Sequence, residues 1–264
     1  MRVSKLFSVV AVLVVGVVSP ARAEFMDLYA SGDDVGEAKA PGRGASRVLV
    51  IPVEVRNAGF NPLNRQRVVD FFETESDIAV RFPSFFQLNS GDRFQPEAVV
   101  TPTMVFDGCP ASLGAGCTVD RTDLASLQVG VQFLRVVAAR ADRGCWLASD
   151  ACESETAIDF GAFDVNGRNG TPDGWIDGLV IHANVPGMQV SLPLFRLNGA
   201  ADDDLSGGDG GPFELDGIKV PFASLCGDTG RTRPEFACLS EFANLLGAAD
   251  LHPESYWAAR HTDD

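Results

Sequence analysis

Hydrophobic and polar positions along the chain follow two periods, one typical of strands and one typical of helices. Apolar runs rich in Val, Leu and Ile predict strands at residues 47–55, 98–106, 175–183 and 218–225. Apolar residues spaced by three and four positions predict helices at residues 61–75, 123–140 and 234–246, and a short helix is expected before a turn at residues 89–91. This order favours an α/β or α+β domain organised around one sheet.

The last predicted helix has the strongest start and stop signals. Pro234 suits the first turn of a helix, where its missing N–H would have no helical partner anyway. Gly247 stands where a C-terminal cap would end the helix. The apolar stripe of this helix consists of Phe236, Leu239, Ala243 and Leu246. We therefore expect the helix to pack on a core.

The first 23 residues have the pattern of a secretory signal peptide. A basic start with Arg2 and Lys5 precedes an apolar run at residues 6–18 and an Ala-Arg-Ala end, which predicts cleavage after Ala23. That run is too short for a membrane span, and no later segment is long enough. The mature chain is expected to be secreted or periplasmic, with a flexible leader at residues 24–45 and one domain at residues 46–264.

Acidic residues outnumber basic residues by 36 to 21, so the formal net charge is −15. Loss of the signal peptide would make the chain more acidic still, because that segment contains only basic charges. This charge argues against nucleic acid or an anionic membrane as a partner. It is compatible with cation binding or with solubility alone.

Six cysteines in a chain that is expected to be exported predict disulfide bonds. The order of the cysteines favours three local bridges, although spacing alone cannot fix the pairing. These bridges are Cys109–Cys117, Cys145–Cys152 and Cys226–Cys238. The third bridge would fasten the last helix to the segment before it.

The last helix also has the frame of a zinc-peptidase motif. Ser240, Glu241 and Asn244 occupy the three defining positions of H-E-x-x-H, and Gly247 and Asp250 follow in the frame of G-x-x-D. In that motif the two His bind zinc, the Glu polarises the bound water, and the third ligand follows the Gly turn. A hydroxyl and a carboxamide are poor zinc ligands beside imidazole. An ordinary core helix is the alternative interpretation of this stretch.

A second candidate site lies at residues 164–177, where oxygen-bearing side chains alternate with glycines. Such a loop can wrap Ca²⁺. The four candidate ligands are Asp164, Asn166, Asp173 and Asp177. Arg168 and an inserted Gly-Thr-Pro interrupt the spacing and add positive charge, so a plain surface turn is the alternative.

Four stretches together resemble the secreted immune inhibitor A-like metallopeptidase family. They are RVLVIPVEV at residues 47–55, FFQLNSGDRFQPEAVVTP at residues 85–102, DFGAFDVNGRNGTPDGWIDGLVIHAN at residues 159–184, and FACLSEFANLLGAADL at residues 236–251. The third stretch is the most specific of the four. The resemblance implies a zincin-like domain, a mixed sheet packed by helices that include a degenerate active-site helix, and it implies that the family's C-terminal part is missing here.

The resemblance places Ser240 and Asn244 at the two zinc-His positions, Glu241 at the general-base position and Asp250 at the third ligand position. Two of the three zinc ligands are thus lost, so zinc binding is not expected, whereas calcium at residues 164–177 stays open. We expect a catalytically inactive family member, with Glu241 as a vestigial base, that binds a protein or peptide. The alternative is an active zinc metalloendopeptidase with an unorthodox metal site.

Overall fold

The elements of the fold follow the predicted order. The computed structural model describes residues 44–74, 81–110, 113, 117, 119, 124–149, 151–166, 171–185, 189–194, 213–227 and 236–246. The strands are β1 Gly44–Arg56, β2 Phe94–Val100, β3 Met104–Asp107, β4 Leu179–Ala183, β5 Gln189–Pro193, β6 Phe213–Leu215, β7 Ile218–Val220 and β8 Phe222–Gly227. The helices are α1 Arg65–Phe72, α2 Phe82–Ser90, α3 Leu124–Asp142 and α4 Phe236–Leu245.

The main sheet is mostly parallel, and β1 lies inside it. The strand order is β2-β1-β4-β8-β5, and β3 pairs with the C-terminal half of β1. β2, β1, β4 and β8 run parallel, whereas β5 is an antiparallel edge strand beside β8. Residues 48–53 of β1 are buried without interruption, as expected for a central strand that is covered on both faces. The fold class α/β is therefore confirmed.

Helices cover both faces of the sheet and create two hydrophobic clusters. On one face, α1, α2 and α4 pack over the even-numbered apolar residues of β1, Val48 and Val50. On the other face, α3 packs over the odd-numbered residues, which include Leu49 and Ile51. This division follows from the period of two in a strand, which sends successive side chains to opposite faces.

Aromatic side chains form the centre of the cluster under α4. Their rings meet mostly edge to face, with centroids about 5–6 Å apart, an arrangement that aromatic quadrupoles favour. The rings are those of Phe82, Phe86, Phe94 and Phe242. Phe242 lies so close to Gly178 that a Cβ on that glycine would be 2.7 Å from the ring. The glycine therefore permits the close approach of α4 to the sheet.

Three predicted strands are shorter or split, and each break has a local cause. The strand predicted at residues 98–106 divides at Pro102, because β2 and β3 pair with different parts of β1. The strand predicted at residues 218–225 divides at Pro221, which has no N–H to donate. The strand predicted at residues 175–183 begins only at Leu179, since Asp177 N–H bonds Phe163 O instead of a neighbouring strand.

The described helices agree with the predicted helical segments, within a few residues at their ends. α1 begins at Arg65 because the Asn64 side chain accepts a hydrogen bond from Arg67 N, at 3.1 Å. α2 ends before Gly91, whose φ of 62° closes the helix in the left-handed conformation. Pro234 and Gly247, the predicted start and stop of the last helix, lie outside the described residues.

The three disulfide bonds join the pairs that chain order favoured, Cys109–Cys117, Cys145–Cys152 and Cys226–Cys238. Bridges of this kind are typical of proteins that fold in an oxidising compartment. No helix among the described residues is long and apolar enough to cross a bilayer.

Candidate functional site

α4 is held against the sheet by a covalent bond and by packing. The Cys226–Cys238 bridge fastens its first turn to the end of β8, and both cysteines are fully buried. Leu239, the next residue, and Phe242, one turn further along, are also buried. The position of the helix relative to β4 and β8 is therefore fixed along its described length.

Glu241 lies within this packed region. Its residue exposure is only 2%, so the described structure does not present the carboxyl group to solvent. Ser240, its neighbour, is half-buried, and its Oγ is a buried atom without a hydrogen-bond partner in the described structure. Burial of a carboxylate is costly, which makes Glu241 unusual for a residue on a core helix.

The other two positions of the zinc frame are only partly described. Asn244 belongs to α4, but its side chain lies outside the described residues, as does all of Asp250. The structure therefore brings Ser240 and Glu241 together on one helix and does not place the predicted third ligand.

The described side chains of the zinc frame, Ser240 and Glu241, include no imidazole. At the position of the first imidazole there is a serine hydroxyl, which is a weak zinc ligand. His182 is 4% exposed in the central strand β4, as expected for a core histidine. Among the described residues, no group of three His, Cys, Asp or Glu side chains could hold a metal ion.

At the second candidate site, main-chain N–H groups donate hydrogen bonds to the carboxylates. Asp164 accepts from Asp173 N at 3.0 Å and from Gly174 N at 2.8 Å, one bond on each oxygen. Asp173 in turn accepts from Trp175 N at 3.2 Å. The segment is thus closed on itself by its own backbone. Residues 167–170, which include the interrupting Arg168, lie outside the described structure.

Asp177 connects the same segment to the start of β1. One oxygen accepts from Arg47 N at 2.8 Å and the other from Asn166 N at 3.1 Å. Asn166 also donates from Nδ2 to Ser46 Oγ at 3.2 Å, and these side chains are buried. Burial raises the pKa of Asp177 to about 6 against the lowering effect of its backbone donors, and the charge of nearby Asp164 is a smaller part of this increase.

This arrangement is a turn that is closed by its own backbone and by the Arg47 amide. Each carboxylate oxygen of Asp164 and Asp177 accepts one N–H bond and has a further lone pair. Calcium binding by Asp164, Asn166, Asp173 and Asp177 stays a prediction. Reasoning from the sequence missed two partners of this segment, Ser46 and the Arg47 amide. Nothing in the sequence of the loop indicates that these residues from β1 lie beside it.

Comparison of the sequence with protein-family models and with curated proteins found no match in either set.

Proposed function

We propose that the protein is a secreted, catalytically inactive relative of the immune inhibitor A-like metallopeptidases that acts by binding a protein or peptide. One observation carries the proposal. The helix with the zinc-peptidase frame has a buried glutamate at the general-base position, and a serine hydroxyl replaces the first imidazole. Without a metal-bound water, the Glu241 carboxyl has no water to activate as a nucleophile.

The architecture supports the fold part of this proposal. Parallel β8 leads into α4, the antiparallel strand β5 borders β8 at the sheet edge, and a disulfide fastens helix to strand. This is a mixed sheet packed by helices, the kind of domain that the resemblance implies. The charge of −15 suits a partner that is not itself strongly acidic.

An active zinc metalloendopeptidase with an unorthodox metal site is the competing function. Its support is the buried Ser240 Oγ, which has no hydrogen-bond partner among the described residues and has a lone pair that a metal ion could use.

The test is elemental analysis of the purified protein after exposure to zinc and calcium and then dialysis. We expect well under one zinc per chain and no casein cleavage. The companion variant Ser240→His/Asn244→His restores both imidazoles of the frame, and we expect it to retain close to one zinc. Circular dichroism shows whether the variant is folded.

Three outcomes separate the possibilities. Stoichiometric zinc in the unmodified protein, with casein cleavage lost in Glu241→Gln, would establish the active enzyme. A folded double variant that gains no zinc would overturn the family resemblance. Zinc only in the double variant, with labelled casein peptides bound but uncut by the unmodified protein, is the result we expect.

A further inference from the structure

The Cys145–Cys152 disulfide joins two cysteines in unlike surroundings. Cys145 is 2% exposed and follows the end of α3, whereas Cys152 is an exposed residue. Neither of the other two bridges contains an exposed cysteine. A thiolate from solvent therefore has one accessible residue to attack, and that residue is Cys152.

Contacts other than the S–S bond hold the two ends of this loop together. Gly144 and Glu153, the residues that flank the cysteines, are joined by a hydrogen bond from Glu153 N to Gly144 O at 3.1 Å. A Cβ on Gly144 would lie 2.1 Å from Glu153 O, so the two chain segments are in direct contact. Trp146 adds a second connection, because its Nε1 donates to Thr156 O at 3.1 Å. Opening of the S–S bond therefore leaves both thiols close together in a folded chain.

The loop is short, and its start is fastened to the sheet. Val105 N of β3 donates to Trp146 O at 2.8 Å, and Trp146 itself is 7% exposed. The S–S bond spans a sequence separation of 7, and the entropy that a disulfide removes from the unfolded chain grows with the length of the closed loop. Loss of this bridge should therefore destabilise the fold less than loss of a bridge across a long loop.

The charged groups beside the two cysteines differ in sign. Arg140 donates from Nε to Cys145 O at 3.2 Å, so a guanidinium group lies beside the buried cysteine. Glu153 and Glu155 are exposed residues one and three positions after Cys152, and neither forms an ion pair with another described residue. The positive charge favours release of the Cys145 sulfur, because a better-stabilised thiolate is a better leaving group. The carboxylates repel an anionic thiol that approaches Cys152 and attract a cationic one.

We propose that Cys145–Cys152 is a reversible exchange site for small cationic thiols, with Cys152 as the residue that carries the adduct. The incoming thiolate R–S⁻ attacks Cys152 Sγ and forms a Cys152–S–S–R bond, while the electron pair of the old S–S bond leaves with Cys145 Sγ as a thiolate. One disulfide replaces another, so this step involves no net oxidation or reduction. Attack by the Cys145 thiolate on the adduct releases R–S⁻ and restores the bridge, because the flanking contacts keep the two sulfurs close.

The inference does not depend on the proposed function. The bridge follows α3, and Trp146 inside its loop belongs to the hydrophobic cluster on the α3 face, whereas α4 covers the opposite face of the sheet. Failure of thiol exchange at Cys152 therefore says nothing about zinc at α4, and the reverse also holds.

The probes are cysteamine, which carries an ammonium group, and 3-mercaptopropionate, which carries a carboxylate. The folded protein is mixed with each thiol at low salt, the reaction is quenched with iodoacetamide, and peptide mass spectrometry counts the opened bridges and locates the adduct. We expect the adduct on Cys152, and at equal thiolate concentration cysteamine should open Cys145–Cys152 at least about 5-fold faster. At about 1 M salt, where the Debye length is about 3 Å, the two rates should converge to within about 2-fold.

The dependence on denaturant separates exchange in the folded state from exchange after unfolding. Direct attack on an exposed residue gives a rate that is proportional to thiolate concentration and nearly constant in urea below the unfolding transition. The fully buried Cys226–Cys238 bridge in the same sample is the reference, since its rate should rise steeply with urea. An equally steep rise for Cys145–Cys152 would overturn the proposal, because this bridge would then be structural only.

Two double variants test the part played by the carboxylates. Glu153→Gln/Glu155→Gln keeps the backbone contacts of the loop and should reduce the preference for cysteamine to about 2-fold or less at low salt. Asp92→Asn/Glu97→Gln removes the same number of charges from exposed residues at β2 and should leave the preference at about 5-fold or more. Equal rates with both thiols in the unmodified protein, an adduct on Cys145, or an undiminished preference in the first variant would overturn the proposal.

Discussion

At the scale of single residues, Asp177 shows most clearly how burial and hydrogen bonding oppose each other. The backbone donors Arg47 N, Asn166 N and Val165 N favour its ionised form, yet removal from water outweighs them and raises the pKa to about 6. The residue has 1% exposure and joins β1 to a segment 130 residues later. A single carboxyl group therefore connects distant parts of the chain in a pH-dependent way.

We expect Asp177 to make the protein more stable at pH 4 than at pH 7. The folded-state pKa of about 6 exceeds the ordinary value of 3.8. The folded state therefore binds the proton more tightly, and stability is lost as pH rises from 4 through 6. The loss from this group is up to about 3 kcal/mol in the free energy of unfolding. Denaturant unfolding at several pH values between 4 and 7.5 measures it.

Asp177→Asn is the matched variant, since it keeps the shape and removes the charge. Between pH 4 and 7, the difference in unfolding free energy between the two proteins should change by up to about 3 kcal/mol. The other titrating groups contribute equally to both proteins and so do not affect this difference. The asparagine amide faces a backbone donor, so the variant should be less stable at pH 4 by roughly 1–3 kcal/mol. A pH-independent difference would show that Asp177 does not titrate in this range.

The sequence identified Asp164 and Asp177 as candidate calcium ligands, and it did not indicate the N–H groups from which they accept hydrogen bonds. Alternating oxygens and glycines describe a loop around a cation and a loop around its own N–H groups equally well. One of the donors to Asp177, Arg47 N, lies 130 residues earlier in the chain. Partners at such separation depend on tertiary structure, which no local pattern encodes.

At the scale of elements, apolar runs predicted the strands well and their ends poorly. The run at residues 47–55 gave β1 almost completely, because a buried parallel strand is apolar throughout. The run at residues 175–183 is also mostly apolar, but Ile176 N and Asp177 N bond to Lys219 and Phe163 outside the main sheet. Strand ends depend on which neighbour is present, and the sequence of one segment does not contain that information.

The disulfides differ in exposure, and we expect reduction to follow that order. Cys152 is exposed, whereas Cys226 and Cys238 are fully buried between β8 and α4. A thiolate reductant must reach a sulfur, so Cys145–Cys152 should open first and Cys226–Cys238 last in the folded protein. Brief dithiothreitol treatment, alkylation and peptide mass spectrometry give the order.

The same reaction in denaturant is the control, because exposure is then equal and the order should disappear. Early opening of Cys226–Cys238 in native buffer would mean that α4 separates readily from the sheet. In that event the close contact between Phe242 and Gly178 could not be a persistent feature.

At the scale of the whole molecule, the sheet separates two hydrophobic clusters that share β1, β4 and β8. Leu239 belongs to the cluster under α4, and Trp146 belongs to the cluster under α3 on the opposite face. Because β1 contributes to both clusters, neither can persist when the sheet is lost. We therefore expect the two faces to unfold together.

Leu239→Ala should lower the free energy of unfolding by roughly 2–5 kcal/mol, and Trp146 fluorescence across the sheet should record the whole loss. A Trp175→Phe/Trp257→Phe background makes Trp146 the reporter. Leu88→Ala is the matched control, since Leu88 is 80% exposed and its truncation should cost less than about 0.5 kcal/mol. If the Trp146 transition does not move in Leu239→Ala, the two faces unfold independently.

The pairing of β1 with β4 also determines when the protein can fold during synthesis. Leu49 through Val53 have their central partners only at residues 179–183. A ribosome-bound chain that ends before those residues lacks the inner neighbour of its first strand, so one edge of β1 stays unpaired over Leu49 to Val53. Sheets built from such remote segments fold slowly, because the chain loses entropy before its contacts form. The nascent protein thus remains open, and dependent on protection from aggregation, for most of its translation.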